Sequence, residues 1–209
     1  MNKKEKVAFV VSKLEELYPT TPIPLDHHNA FTLLIAVLLS AQSTDKGVNK
    51  ATPALFEVAD SAEKMTKLTE LEIKEYIKTI GLSNAKARNI YKLCRLVMER
   101  HQGQVPETFE ELEALPGVGH KTASVVMSQA FGVPAFPVDT HIQRLMYRWT
   151  LSNGKNVIQT EKDAKRLFSE EIWNKLHLQI IFFGREYCPA RGHKVNNCPI
   201  CSLIGRKGI

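Results

Sequence analysis

Apolar residues recur at helical spacing along almost the whole chain, and no convincing apolar–polar alternation marks a strand. Ile90, Leu93, Cys94 and Val97 follow the i, i+3, i+4, i+7 pattern, as do parts of Val7 to Leu17. Phe31 to Gln42 is apolar nearly all round, which predicts a helix buried on every side. Pro and Gly fall between these segments. The pattern predicts an all-α fold with helices over 3–18, 28–41, 44–58, 69–79, 84–101, 108–115, 119–131, 139–151, 160–168 and 171–185. With 209 residues, 44% of them hydrophobic, the chain can bury one large core or two smaller ones flanking a cleft.

The formal net charge is +6, which suits a polyanionic partner such as nucleic acid. The N-terminus, Met1-Asn2-Lys3-Lys4-Glu5-Lys6, turns directly into an amphipathic pattern without the apolar core of a signal peptide. The most apolar run, Phe31 to Ala41, is too short to span a bilayer. The expectation is a soluble, cytoplasmic protein without membrane association. In such a reducing compartment, Cys188, Cys198 and Cys201 read as a metal or iron–sulfur site before they read as disulfides.

The most informative string is Leu115-Pro116-Gly117-Val118-Gly119-His120-Lys121-Thr122-Ala123. Thr108 and Glu111 have capping-box spacing and start one helix; Pro116 and Gly117 end it; a second helix starts near Gly119. The first amides of that second helix lack intrahelical partners, and the aligned peptide dipoles make its end positive. The corner therefore suits an anion, and a phosphate could sit on the amides of Val118 to Lys121. Such a contact positions the protein on a DNA backbone without reading sequence. The plainer alternative is a helical corner whose glycines serve turn geometry.

This string resembles the helix-hairpin-helix of the endonuclease III family of DNA glycosylases and AP lyases. Three further segments resemble that family in the same chain order: Leu39-Ser-Ala-Gln42-Ser-Thr-Asp45, Ile80-Gly-Leu82-Ser-Asn84-Ala-Lys86-Ala and Phe136-Pro-Val-Asp139-Thr-His141-Ile-Gln-Arg144. The resemblance spans roughly residues 5 to 201. Placed in the first turn of a helix, Lys121 would give up its proton more readily than a free lysine, and an unprotonated amine attacks a sugar carbon. The alternative for Lys121 is a surface contact to phosphate; for Asp139 it is a simple N-cap. The resemblance makes Lys121 the nucleophile and Asp139 the essential carboxylate. It implies removal of oxidised pyrimidines flipped from the duplex, a Schiff base on Lys121, and β-elimination of the 3′ phosphate.

By the same resemblance Gln42 and Leu82 fill the gap left in the base stack, while the hairpin residues Gly117, Val118, Gly119 and His120 meet DNA. His141 and Arg144 lie one helical turn apart and could face DNA or serve as structural polar groups. Arg191 and Lys194 belong to a basic tail, Arg185 to Ile209, that carries a local charge of +4 from five basic residues against Glu186. The implied architecture is a helical-barrel domain over 22–132 that holds the hairpin, and a second domain formed by 1–21 and 133–209. The two would flank a DNA-binding cleft with Lys121 and Asp139 facing each other across it. The protein would act as a monomer on double-stranded DNA with damaged bases or abasic sites. A monofunctional mismatch adenine glycosylase shares the fold and the aspartate but lacks the lysine; a non-catalytic helix-hairpin-helix module would need only the hairpin.

The tail departs from the resemblance. The family's [4Fe–4S] loop runs C-x6-C-x2-C-x5-C; here the spacing is C-x9-C-x2-C, and the expected last cysteine falls at Lys207. Three thiolates are one short of a standard cubane. Three readings stay open: a cluster completed by His193 or an outside ligand, a zinc ion held by Cys188, His193, Cys198 and Cys201, or a loop without metal.

Overall fold

The computed structural model describes residues 1–206 and 208; among these, every regular element is helical and none is a strand. None of the described helices is long and apolar enough to cross a membrane. Lys207, where the family's last cysteine was expected, lies outside the described residues.

The chain opens with α1 (Lys3–Leu17). There follow α2 (Ala30–Ser40), α3 (Asp45–Val58), α4 (Ala62–Met65), α5 (Glu70–Ile77), α6 (Ser83–His101), α7 (Phe109–Glu113) and α8 (His120–Ala130). The remainder is α9 (Thr140–Arg148), α10 (Val157–Leu167), α11 (Trp173–Glu186) and α12 (Cys201–Ile204), with 3-10 turns at Glu170–Ile172 and Val195–Asn197. By its internal contacts the chain divides into two compact units, Ile23–Gly132 and Met1–Pro22 with Val133–Ile209.

In the first unit α2 is the central element: all nine residues from Phe31 to Leu39 are buried. Its start is set by Asn29, whose side chain accepts from the Thr32 amide while the Thr32 hydroxyl accepts from the Asn29 amide. The second unit is built around Trp149, Phe136, Phe183, Val10 and Leu14, and its core extends to Cys188, Cys198, Cys201, Ile200 and Ile204. The C-terminal loop is thus packed into this core, not draped over it.

Several elements differ from the periodicity. Helix α10 starts at Val157, three residues before the expected 160, because Asn156 caps it by accepting from the Gln159 amide at 2.8 Å. Its first turn exposes Val157 and Ile158, which hides the start from a pattern of buried apolar positions. The one-turn helices α4 and α12 are too short to display a period.

Candidate functional site

The hairpin forms as the residues dictate. Thr108 caps α7, its hydroxyl accepting from the Glu111 amide at 3.3 Å and donating to the Glu111 carboxylate at 2.7 Å. The corner then closes with the Val118 amide donating to the Leu115 carbonyl at 3.1 Å. Gly117 sits at φ +82°, a region that favours glycine, and an added Cβ there would stand 2.7 Å from Asn89 Nδ2. Gly119 caps α8 with extended backbone and has no atom within 4 Å of a would-be Cβ. The first intrahelical bond of α8 runs from the Ala123 amide to the Gly119 carbonyl. This narrows one expectation: Val118 is buried and its N–H is committed to the Leu115 carbonyl, so an anion at this corner would be met from Gly119 onward and not by Val118.

Lys121 is exposed at the second position of α8. The His120 ring stacks on Phe109 at 5.9 Å and places Nδ1 2.7 Å from Glu113 Oε1. It therefore braces α8 against α7.

Gln42 and Leu82 share a feature no periodicity discloses. Both hold left-handed backbone, at φ 54° and 61°, and both are exposed, Leu82 by 58%. Such conformations cost a non-glycine residue on the order of 1–2 kcal/mol and persist only where the surroundings impose them. Much of that constraint comes from Lys86, which is 4% exposed. Its Nζ donates to the carbonyls of Leu39 and Ala41 and to Ser43 Oγ at 2.7–2.9 Å, and its amide donates to the Leu82 carbonyl. One lysine thus ties together the two turns that carry Gln42 and Leu82. Burial pushes its ammonium below the usual lysine value. The available signal for this role in the sequence was a lysine one turn after Leu82 on an otherwise apolar helix face.

In the second unit Asp139 is the N-cap of α9, with Oδ1 accepting from the Ile142 amide at 2.8 Å. It is only partly buried, and among the described residues its carboxylate takes no other hydrogen bond, so Oδ2 is uncommitted. His141 and Arg144 carry framework contacts, which favours the structural of the two roles the sequence left open. Arg144 donates to the carbonyls of Gly184 and Cys188 and meets His141 Nδ1 at 3.0 Å. Gly184 permits this approach, since a Cβ there would stand 3.0 Å from the His141 ring. Burial lowers the His141 pKa below 6.5. Arg191 and Lys194, by contrast, are exposed.

The C-terminal loop assembles a metal-binding set. Ligand atoms of Cys188, His193, Cys198 and Cys201 all lie within 4.8 Å of one another. Both ring nitrogens of His193 are buried without a hydrogen-bond partner, the state of an imidazole built to meet something else. The Cys198 thiol is held below the usual thiol range by hydrogen bonds from Cys188 and Cys201. Arg148 Nη1 donates to Cys188 Sγ at 3.1 Å and to the Pro189 carbonyl at 2.8 Å. The doubt that rested on a missing fourth cysteine is not borne out: the chain's fourth cysteine, Cys94, lies buried in α6, and His193 gives the loop its fourth donor. Three thiolates and an imidazole are compatible in kind with an iron–sulfur or a zinc centre.

An all-helical fold with a glycine-cornered hairpin and a cysteine loop defines a class of DNA repair protein. Residues 35–170 match the model of the HhH-GPD superfamily base excision DNA repair proteins, and the chain belongs to that family. Within it, the chain is 46% identical over 207 residues to endonuclease III of Haemophilus influenzae and, to the same extent, of Escherichia coli K12, covering 99% of this chain and 98% of each relative. Among solved structures it is similar to an endonuclease III trapped as a covalent intermediate with DNA, at a TM-score of 0.94 and 40% identity over all of this chain and 98% of the other.

Proposed function

We propose that this protein excises damaged pyrimidines from DNA with Lys121 as nucleophile and Asp139 as its carboxylate partner. The protein is a bifunctional DNA N-glycosylase and AP lyase of base excision repair. The observation that carries the residue assignment is the placement of an exposed amine at the second position of α8, beside a glycine N-cap that offers no side-chain cap and leaves open space for a close approach.

The amides of Gly119 to Lys121 grip a backbone phosphate next to the lesion. The damaged nucleotide leaves the stack, since its sugar carbon is shielded within it. Gln42 and Leu82, presented on rigid left-handed turns, enter the gap. Lys121 Nζ, after losing a proton, attacks C1′, and the base departs with the glycosidic electron pair and a proton. Asp139 stabilises the positive charge that develops on the sugar and assists proton transfer through its uncommitted oxygen. Opening of the sugar gives the imine; loss of a C2′ proton then expels the 3′ phosphate. Arg191 and Lys194 add phosphate contacts from the metal loop. A mismatch adenine glycosylase without the lysine would release the base but form no imine, so Lys121 favours the bifunctional reading.

Borohydride reduction in the presence of a duplex carrying an oxidised pyrimidine or an abasic site tests the assignment. The parent protein should be captured covalently and Lys121→Ala should not. Equal capture by that variant removes Lys121 from the role. Base release with no strand cleavage by the parent would favour the monofunctional reading.

A further inference from the structure

We propose that the C-terminal loop holds a single tetrahedral zinc ion through Cys188, His193, Cys198 and Cys201, in place of the four-cysteine iron–sulfur cluster that the resemblance implies.

Four donors on one zinc, with sulfur about 2.3 Å from the metal, stand about 3.8 Å apart along the edges of the tetrahedron. Cys188 Sγ and Cys201 Sγ are 3.7 Å apart, and no pair in the set exceeds 4.8 Å. A cubane places each ligand on a different iron, which spreads its thiolates to roughly 6 Å. The donors here stand at the spacing of a single ion and not at that of a four-iron cluster.

The donor set and its order agree. The ligands read C-x4-H-x4-C-x2-C, a Cys₃His set ending in the C-x2-C unit common in structural zinc sites. The longer first gap, an irregularity when measured against the iron–sulfur loop, is what brings in His193. That residue's buried, unpartnered nitrogens then have a function: one binds the metal.

The surroundings suit the charge. Zinc with three thiolates carries a net charge of −1. Arg148 donates to Cys188 Sγ at 3.1 Å and the Cys201 amide donates to Cys198 Sγ at 3.4 Å. Such bonds to ligating sulfur offset the charge and fix the thiolates in place. All three cysteines are at most 2% exposed. A closed site of four protein ligands is structural, with no open position for a substrate.

The test uses the full chain, expressed with both iron and zinc supplied, purified anaerobically and assayed for metal, acid-labile sulfide and visible absorption. About one zinc per chain, without sulfide and without colour, is the expected result. Stoichiometric iron with sulfide overturns the proposal, as does a folded protein without metal. Cobalt substitution then addresses the ligands. The parent should show the intense visible bands of a tetrahedral thiolate site, and His193→Cys should keep one ion per chain and move those bands to longer wavelength. His193→Ala should weaken zinc binding about a hundredfold or more. An unchanged cobalt spectrum in His193→Cys overturns the assignment of the fourth ligand. None of these readouts depends on excision, so the outcome is independent of the assignment of Lys121.

Discussion

Serine at position 119 should make the fold slightly more stable and the protein a poorer DNA binder. Gly119 is the N-cap of α8 and leaves its first amides without a side-chain partner. A serine there would accept from the Lys121 or Thr122 amide, and the site has space for it, since nothing lies within 4 Å of the new Cβ. The gain over glycine at an N-cap is a few tenths of a kcal/mol, or about 1 °C in Tm for a chain of this size. The same hydroxymethyl group occupies the approach to the amides that would hold phosphate. Loss of one charge-assisted hydrogen bond costs about 1.5–3 kcal/mol, so Kd for a duplex carrying a stable abasic-site analogue should rise about 10- to 100-fold at fixed salt. Fluorescence anisotropy reads the affinity and calorimetry the Tm. Gly117→Ala is the contrasting control. Its φ of +82° and the 2.7 Å approach to Asn89 should cost about 2–3 kcal/mol, lowering Tm by roughly 5–10 °C. If the serine variant binds as tightly as the parent while its Tm holds or rises, the corner does not hold a phosphate.

Leu82→Gly relieves left-handed strain at an exposed side chain, so Tm should hold or rise by a few degrees while excision of a damaged base falls at least tenfold; equal excision would remove Leu82 from the gap-filling role. Lys86→Met leaves two carbonyls and a hydroxyl in a buried turn without their donor, at about 1–3 kcal/mol for an orphaned group, and hydrogen exchange should quicken around Gln42 before it does elsewhere. Because burial lowers His141 in the folded protein, the unfolded chain takes up a proton first on acidification. Stability is therefore lost as pH falls through 6.5 towards the folded value, and His141→Gln should flatten that part of a urea-midpoint series.

What the sequence disclosed depended on the range over which each signal acts. The hairpin was legible because its determinants are local: Thr108 with Glu111, then Pro116 and Gly117, then Gly119. Helix α2 was legible because nine buried residues in succession leave no other reading. The left-handed turns at Gln42 and Leu82 were not, since neither residue type prefers that backbone and the constraint comes from Lys86, more than forty positions beyond Gln42. Arg144 and His141 were ambiguous for the same reason. Their fate depends on α11, whose Gly184 admits them and whose carbonyls take the guanidinium. The availability of the Val118 amide turned on one hydrogen bond to Leu115, which a string of letters does not record.

Removal of the proposed metal should be felt, through α9, at Asp139, the carboxylate proposed to act on the sugar. Asp139 caps the first turn of this helix; Arg148 ends it and is bonded to Cys188 Sγ and to the carbonyls of Cys188 and Pro189. Arg144, between them, donates to the Cys188 carbonyl as well. Nine residues at 1.5 Å each make a rod about 13 Å long, with the carboxylate at one end and the metal loop at the other. Chelation leaves three thiol groups and an imidazole buried without their ion, and buried polar groups so abandoned cost about 1–3 kcal/mol apiece. The loop should loosen first, and the two arginines should transmit that loss to α9. Hydrogen exchange should therefore accelerate at the amides of α9, including Ile142, whose N–H reports the Asp139 cap directly, while the amides of α8 from Ala123 onward keep their protection. Tm should fall and excision should weaken without being abolished, since no ligand touches the reacting groups. If chelation strips the metal and the Ile142 amide exchanges as slowly as before, α9 does not couple the loop to Asp139, and the metal serves the tail alone.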